Sequence, residues 1–560
     1  MAKLGEILIK KGLINAEQLE MALKESAKSG EILGKTLLRI KLINDEQLLG
    51  ALAEQLNLQF LPSLKDVNVL PEVVKAVPPK FVWHYKFMPL KIKGSLLTIA
   101  VSDPLAVWPM EDLKLHLGFD VQRVLTTEEE ILKCIRRYYG LGADTIEEIL
   151  VQNNIKVEHQ KARYEEIEDV ERSAQVASVI KLVNQILSDA VSSRATDIHI
   201  EPYRDSVRVR YRIDGILYDM RMSEQVKYLH QAIVSRIKIL SNLDVVEKRL
   251  SQDGRAIIKI QDKQVDLRIS IIPSLYGENI VIRILPVHLL FNLDELGLEA
   301  QDLKTIEELM KKPHGIIFLT GPTGSGKTTT LYSCLSKLNK ESVKIITIED
   351  PIEYELMGIM QIQIKLEIGM TFASALRSIL RHDPDIMMIG EVRDLETAEL
   401  AIRTSLTGHL IFSTLHTNDA CSGATRLIDI GIEPYLVATS TNAFISQRLV
   451  RVICPECKEE VKDKEPVPEI FRGMKLYRGR GCESCKSIGF KGRIAIYEIL
   501  LVKEQIKELI LNKSSVSMIK KKAKEMGFRS LLEAGIEKVK QGITTPEEVL
   551  RVAELEHDDA

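Results

Sequence analysis

The stretch GIIFLTGPTGSGKTTTLYSCL limits the fold more tightly than any other part of this chain. Its apolar run Ile316–Leu319 leads into Gly321, Pro322, Thr323, Gly324, Ser325, Gly326, Lys327 and Thr328, which match G-x-x-x-x-G-K-[ST]. A helix-forming run continues from Thr329. Glycines at these places let backbone N–H groups converge on one concavity, and the positive end of the following helix reinforces it, so the loop is suited to wrapping phosphate. Lys327 is expected to reach the β- and γ-phosphates of ATP, and the Thr328 hydroxyl to sit on Mg²⁺. A short pattern arises by chance, but a strand before and a helix after make an α/β nucleotide-binding core the expected fold.

Such a loop needs acids at the ends of neighbouring strands to hold metal and water. VKIITIEDPIEYE puts Glu349, Asp350 and Glu353 directly after an expected strand, Val343–Ile348. DPDIMMIGEVRD puts Glu391 after the apolar run Ile386–Ile389, with Gly390 where Asp is usual. A carboxylate there binds Mg²⁺, directly or through water, or polarises the attacking water. The plainer alternative is a solvated strand end, disfavoured because two such places follow one loop. In TGHLIFSTLHTNDA, His416 leaves a strand near the Asn418-Asp419 turn, placed to sense a γ-phosphate. His409 reads as a satisfied core residue.

At 560 residues the chain exceeds one core, and several domains are expected. A formal charge of −3 gives no electrostatic case for nucleic acid. No apolar run approaches the ~18 residues that span a bilayer. Charges run through MAKLGEILIKKG, where a signal peptide would carry its apolar region, so the cytoplasm is the expected compartment. Of seven cysteines, four form CPEC (Cys454, Cys457) and CESC (Cys482, Cys485), about 24 residues apart. Four thiolates complete a tetrahedral Zn²⁺ with no open position, hence a structural site. Redox-active pairs are the alternative, disfavoured by two pairs in one small segment. Cys134, Cys334 and Cys421 read as buried small hydrophobes.

The chain opens on a doubled unit. LGEILIKKGLINAEQLEMALKE, from Leu4, returns from Leu33 as LGKTLLRIKLINDEQLLGALAE. Each copy reads as a short helix, a Leu-Ile turn, and a second helix capped by Asn15 or Asn44. The doubled unit fills residues 1–58, a mixed α/β segment 59–142, and a Glu-rich linker 143–172. From Ser173, AQVASVIKLVNQILSDAV is helical in period and leads into ATDIHIEP. SVRVRYRIDGILY then alternates, with Val207, Val209, Tyr211 and Ile213 on one face and Arg208, Arg210 and Arg212 on the other. Asp214-Gly215 is a hairpin turn. Guanidinium groups side by side repel one another unless an anion or an acidic partner faces them; a solvated sheet surface is the bland alternative. Beyond about residue 500 the tail reads as amphipathic helices. In TTPEEVL, Thr545 caps, Pro546 takes the first position and Glu548 completes a capping box. KKKAK (Lys520–Lys524) reads as a solvated helix face.

The phosphate loop, IEDPIEYE, MMIGEVRD and GHLIFSTLHTNDA stand in this order, and together they resemble the assembly ATPases of type II secretion and type IV pili. The resemblance covers nearly the whole chain. It implies a multidomain α/β protein: a RecA-like ATPase core at 291–560, with a small zinc module at 451–497 and C-terminal helices at 498–560. Before the core it implies a PAS-like α/β N2 domain at 173–290 and a helical, then α+β, N-terminal region. It further implies a homohexameric ring whose ATP hydrolysis moves domains. That motion would drive pilus or pseudopilus assembly at the cytoplasmic face of the inner membrane, where the ring is held peripherally by a platform protein and a bitopic partner. The family's N2 domain feeds arginines to bound nucleotide, which designates Arg210 and Arg212, with Arg377, Arg381 and Arg393 as further candidates on the ATPase domain. Such an arginine contributes roughly 10³-fold or more to phosphoryl transfer.

The tetracysteine module is similar to that of secretion and pilus-extension ATPases; retraction relatives lack it. SLTGHLIFSTLHTNDA, RLIDIGIEP and QRLVRVICPEC look closer to the type II secretion form, with the pilus-extension form next. A nucleic-acid-translocating motor is the competing class, and near-neutral charge speaks against it. In some members a doubled Arg-Leu-Gly…Leu…Leu…Gln motif wraps cyclic-di-GMP. Leu4-Gly5, Leu33-Gly34, Leu19, Leu23, Leu48 and Leu52 match that form. Lys3 and Ile32 replace its arginines, and Ser26 replaces one glutamine, leaving Gln55. Arginine stacks on guanine and forks onto phosphate, which Lys does poorly and Ile not at all, so a docking module is expected ahead of cyclic-di-GMP binding.

Overall fold

The computed structural model describes residues 4–29, 31–104, 117–140, 177–260, 263–286, 292–461 and 468–553, with Lys114 and Thr145. Lys3 and, Thr145 apart, the expected linker at 143–172 lie outside the described residues. The chain divides into two compact units, Met1–Leu285 and Pro286–Ala560.

The first unit opens on helices α1 (Leu4–Lys10), α2 (Ala16–Ser29), α3 (Leu33–Arg39) and α4 (Asp45–Leu56). Asn15 and Asn44 start α2 and α4 by the same device: each side chain accepts the N–H three residues on at 2.8 Å, and Gln18 or Gln47 returns the favour. The copies interlock, α1 against α4 and α2 against α3, around Ile7, Leu8, Leu37 and Leu48. Strands β1 (Gln59–Phe60), β2 (Met88–Lys93), β3 (Leu96–Val101) and β4 (Asp120–Leu125) follow, ordered β1-β4-β3-β2. Helices α5 (Pro71–Ala76), α6 (Pro79–Tyr85) and α7 (Glu128–Tyr139) complete this part, which is packed on Val82, Phe87, Leu97 and Ile135.

After α8 (Ala177–Ser192) comes a six-stranded sheet: β5 (Ala195–Pro202), β6 (Val207–Ile213), β7 (Ile216–Met220), β8 (Gln252–Ile260), β9 (Lys263–Ser274) and β10 (Gly277–Pro286). Its order is β7-β6-β5-β10-β9-β8, and α9 (His230–Leu240) packs against α8. The β6–β7 turn is Asp214-Gly215, both with positive φ, as the twist of a two-residue hairpin requires. The arginines of β6 do meet acids. The register sets Asp197 opposite Arg212 and Glu201 opposite Arg208, so ATDIHIEP carries the partners. Arg210 forks onto Glu201 at 2.7 and 2.9 Å, and Arg212 lies 3.6 Å from Asp197.

The second unit is built on a seven-stranded sheet. Its strands are β11 (Gly315–Thr320), β12 (Ile345–Glu349), β13 (Met360–Gln363), β14 (Ile386–Ile389), β15 (Leu410–Leu415) and β16 (Thr441–Ile453). After the small pair β17 (Lys458–Glu460) and β18 (Tyr477–Gly479) comes its last strand, β19 (Phe490–Leu501). The order is β13-β12-β14-β15-β11-β16-β19, parallel from β13 through β16, with the edge strand β19 antiparallel to β16. Helices α10 (Ala300–Met310), α11 (Lys327–Leu338), α12 (Phe372–Ile379), α13 (Leu395–Leu406), α14 (Ser422–Ile430) and α15 (Pro434–Ser440) belong to it. Ile316 and Phe318 join one core with α12 and α13, while Ile317 and Leu319 join another with α10 and α11, so helices cover both faces. The tail forms α16 (Glu504–Leu511), α17 (Val516–Glu525), α18 (Leu531–Lys540) and α19 (Pro546–Val552).

Two local expectations change. Strand β12 runs through Glu349, so this residue closes the strand instead of following it. Glu548 completes no capping box: its carboxylate accepts from the Arg451 guanidinium at 2.7 Å, the Arg451 N–H at 3.1 Å and Arg551 at 2.8 Å, and not from the Thr545 N–H. Among the described residues, no helix is long and apolar enough to cross a membrane.

Candidate active site

Strand β11 is buried at every position and delivers its C-terminal end to the glycine-rich loop. Gly326 holds φ at +90°, and a Cβ on it would stand 2.7 Å from the Gln447 side-chain nitrogen, so only glycine opens α11 here. The Ser325 hydroxyl is buried without a hydrogen-bond partner, an orphaned polar group at the wall of the expected anion cradle. Lys327 folds over the loop and donates to the Gly321 and Pro322 carbonyls at 2.7 and 3.0 Å. Burial lowers its pKa to about 8; nearby Glu391 opposes the shift and Arg448 adds to it. Thr328 is half exposed on the first turn of α11, and Thr329 is exposed. These residues fit a triphosphate: the N-terminus of α11, an unpaired hydroxyl, one ammonium and a threonine hydroxyl in the position that takes Mg²⁺.

Glu391 lies just beyond β14, its side chain 16% exposed. One carboxylate oxygen meets His416 Nε2 at 2.9 Å, and the other meets Arg393 at 2.6 Å. Gly390 precedes it for a steric reason. A Cβ at 390 would press to 3.2 Å of the Ile348 carbonyl on β12, whose oxygen already accepts the Gly390 N–H at 2.7 Å. The structure therefore brings together Lys327, Glu391, Arg393 and His416. It adds two residues that carry no site role in the sequence reading, both on β16 at the head of QRLVRVICPEC. Gln447 accepts from Thr330 at 2.8 Å, and Arg448 donates to the Asn418 carbonyl at 2.7 Å while standing beside Gly321.

Other candidates are engaged differently. Glu349 is 3% exposed, and its carboxylate takes the Tyr332 hydroxyl, Thr347 at 2.6 Å and Gln361 at 3.1 Å. Glu353 is half buried in the loop after β12. Arg377 pairs with Glu396, and Arg381 donates to the Arg377 carbonyl at 2.9 Å. Arg210 and Arg212 belong to the first unit, with the acidic partners already described. His409 is held by the Thr404 carbonyl at 3.1 Å.

Cys454, Cys457, Cys482 and Cys485 cluster at the end of the β16–β19 hairpin, their sulfurs all within 4.8 Å of one another. Three sulfur pairs lie at 3.7, 3.8 and 3.7 Å, too long for disulfides. Four thiolates at the ~2.3 Å Zn–S distance form a tetrahedron with edges of about 3.8 Å, so the spacing suits one metal ion. N–H groups of Gly481, Cys482 and Gly489 point at these sulfurs, as thiolates require. Burial pushes the Cys457 thiol up to about 12; at Cys485 the amides of Cys482 and Gly489 outweigh burial and draw it to about 7.

The chain is similar to known proteins over most of its length. The family described as Type II/IV secretion system protein matches residues 172–551, and the MshEN domain matches 56–145, beyond the doubled helical unit. The type IV pilus assembly ATPase PilB of Myxococcus xanthus is 41% identical over 558 residues, covering 98% of each chain. The type II secretion system protein E of Xanthomonas campestris pv. campestris is 38% identical over 568 residues, covering 99% of this chain and 98% of that one. The X-ray structure of the Legionella pneumophila ATPase DotB is 22% identical and covers 66% of this chain and 94% of that one, with a TM-score of 0.49.

Proposed function

The chain belongs to the type II/IV secretion system protein family and is an ATPase of it; on that premise we propose that it powers extension of a pilus-like filament from the inner membrane. The observation that carries this is the juxtaposition of Lys327, Glu391 and His416 beyond the ends of β11, β14 and β15 in a unit that also holds the four-cysteine cluster. The family resemblance implies that retraction relatives lack that cluster. Relatives named for pilus assembly and for type II secretion both match nearly the whole chain. We favour the type II pseudopilus on the motif forms around His416 and Cys454; the type IV pilus is the second reading, favoured by the 41% relative.

In this mechanism the amides of the loop and Ser325 take the β- and γ-phosphates, and Lys327 leaves the Gly321 and Pro322 carbonyls to bridge them. Bound Mg²⁺, held by Thr328 and by Glu391 directly or through water, would neutralise charge developing on the phosphate oxygens. Glu391 orients the attacking water, Arg393 fixes the carboxylate, and His416 reports whether the γ-phosphate is present. Arg210 and Arg212 are proposed to supply positive charge in the assembled homohexamer. The cysteine cluster holds structural Zn²⁺. The proposed place is the cytoplasmic face of the inner membrane, reached through a platform protein and a bitopic partner, with the doubled N-terminal unit as the docking element.

The test is a pair of variants. Lys327→Ala should abolish turnover and weaken nucleotide binding, whereas Glu391→Gln should retain binding and lose roughly 10²–10⁴-fold in turnover. Either variant turning over like the parent rejects the mechanism. Lys327→Ala placed in the host then separates the machines by whether exported protein or surface pili disappear.

A further inference from the structure

Glu498 is a buried carboxylate that the phosphate chemistry leaves unused. It lies on β19, 4% exposed, opposite Ser446 of β16. One of its oxygens accepts the Ala420 N–H at 2.6 Å, and the other accepts the Leu531 N–H at 3.1 Å. These amides belong to two different parts of the unit. Ala420 ends the segment that begins at His416, and Leu531 is the first residue of α18, behind its cap Ser530.

The segment His416–Ala420 is otherwise fastened to the nucleotide site and to the start of α14, where the Ser422 N–H and hydroxyl donate to the Asp419 carboxylate at 2.7 and 2.8 Å and the Gly423 N–H to the Ala420 carbonyl at 3.2 Å. His416 meets Glu391, Thr320 bonds the Asp419 carbonyl at 3.4 Å, and Ser446 and Arg448 bond the Asn418 carbonyl at 3.3 and 2.7 Å. A buried carboxylate is costly unless its lone pairs are met, and here both donors are backbone groups, one of them at the positive end of a helix. Burial raises its pKa to about 7 despite the two amides, with Asp419 adding to the rise and Lys520 opposing it. The group therefore depends on both N–H donors staying in place.

We propose that Glu498 is a positioning residue that couples the His416–Ala420 segment to helix α18, so that the nucleotide state read at His416 and Glu391 reaches the C-terminal helices. This rests on the sensing role proposed for His416. Glutamine at 498 offers one acceptor oxygen and turns an NH₂ group toward the other amide, so it satisfies only one of the two amides. Proline is tolerated at the first position of a helix and lacks the N–H, so Leu531→Pro deletes the same link from its other side. Leu531→Ala removes the side-chain packing and keeps the N–H.

The experiment measures amide hydrogen exchange of the full-length, metal-replete protein with ADP and with a non-hydrolysable ATP analogue, alongside turnover. In the parent, exchange should differ between the two nucleotides at 416–421 and at 531–540. In Glu498→Gln and Leu531→Pro the difference at 416–421 should remain and that at 531–540 should vanish. Turnover should fall about tenfold, the weight of one hydrogen bond to a charged group. Leu531→Ala should keep both differences. Persistence of the 531–540 difference in Glu498→Gln, or identical behaviour of Leu531→Pro and Leu531→Ala, overturns the proposal. A parent that responds at 416–421 and not at 531–540 removes the coupling alone. One that responds at neither removes the sensing role with it.

Discussion

Lys327 is a cation kept in a place that suits it only when phosphate arrives. Its ammonium is buried enough to titrate near 8, and bound triphosphate should return it toward the ordinary lysine range. Below that pH the free site is already protonated, so binding takes up little; above it, binding should draw a proton onto the lysine. Calorimetry in buffers of different ionisation enthalpy should record close to one proton gained per ATP at about pH 9 and much less near pH 7. Equal uptake at both would show that burial does not shift this group. Lys327 itself is legible in the sequence because its motif is local: eight consecutive residues from Gly321 to Thr328 fix the loop. Gln447 and Arg448 open the QRLVRVICPEC stretch, but their place at the loop is not legible, because it arises through the pairing of β11 with β16. Glu349 misleads for the opposite reason. It stands in an acid-rich box, yet Tyr332, Thr347 and Gln361 saturate its carboxylate inside the sheet.

Among elements, the β16–β19 hairpin joins the most. Near its base, Gln447 and Tyr497 meet Thr330 on the phosphate helix; at its far end stand the four cysteines. The buried cysteines at that end form a cluster of their own, separate from the apolar cluster that holds Phe471, Met474 and Leu476, so metal is expected to stand in for packing there. Metal analysis should find one zinc per chain. Stripping it with a chelator should open residues 454–489 to proteolysis, and protection that survives stripping would deny the metal its structural role. The same hairpin is hooked to the tail by Glu548, which is 2% exposed and held well below the usual carboxylate range, to about 2. Burial opposes that shift, and hydrogen bonds from Arg451 and Arg551 outweigh it. Glu548→Ala leaves Arg451 without its carboxylate and should cost about 3 kcal/mol, read as a lower melting temperature. The CxxC pairs announce their end of this hairpin plainly. The Glu548 hook hides in the sequence, because a TTPEE helix start predicts a local cap and not a partner on a strand far away in the chain.

At the scale of the whole molecule, motif order and spatial order part company. The boxes run along the chain as β11, β12, β14 and β15, but the sheet sets β14 and β15 between β12 and β11, an arrangement that hydrophobic pattern alone does not encode. The doubled N-terminal unit shows how a legible repeat can still mislead about its purpose. Its recurring Leu-Gly pairs match a nucleotide-wrapping motif, yet a Cβ on Gly5 would stand 2.7 Å from Leu19, and one on Gly34 would stand 3.1 Å from Leu48. Both glycines thus lie in close helix contact, whether or not a ligand binds. The residues that would grip a guanine are the ones replaced: Ile32 is 66% exposed and offers no donor, and Ser26 spends its hydroxyl on the Glu31 carbonyl at 2.5 Å. Calorimetry with cyclic-di-GMP should therefore give no binding heat. Gly34→Val should loosen α3 from α4, leave ATP turnover in vitro near that of the parent, and abolish filament assembly in the host. Micromolar binding of cyclic-di-GMP that disappears on Gln55→Ala would instead make the unit a nucleotide receptor. Normal assembly by a Gly34→Val protein whose N-terminal helices have melted would take away its docking role.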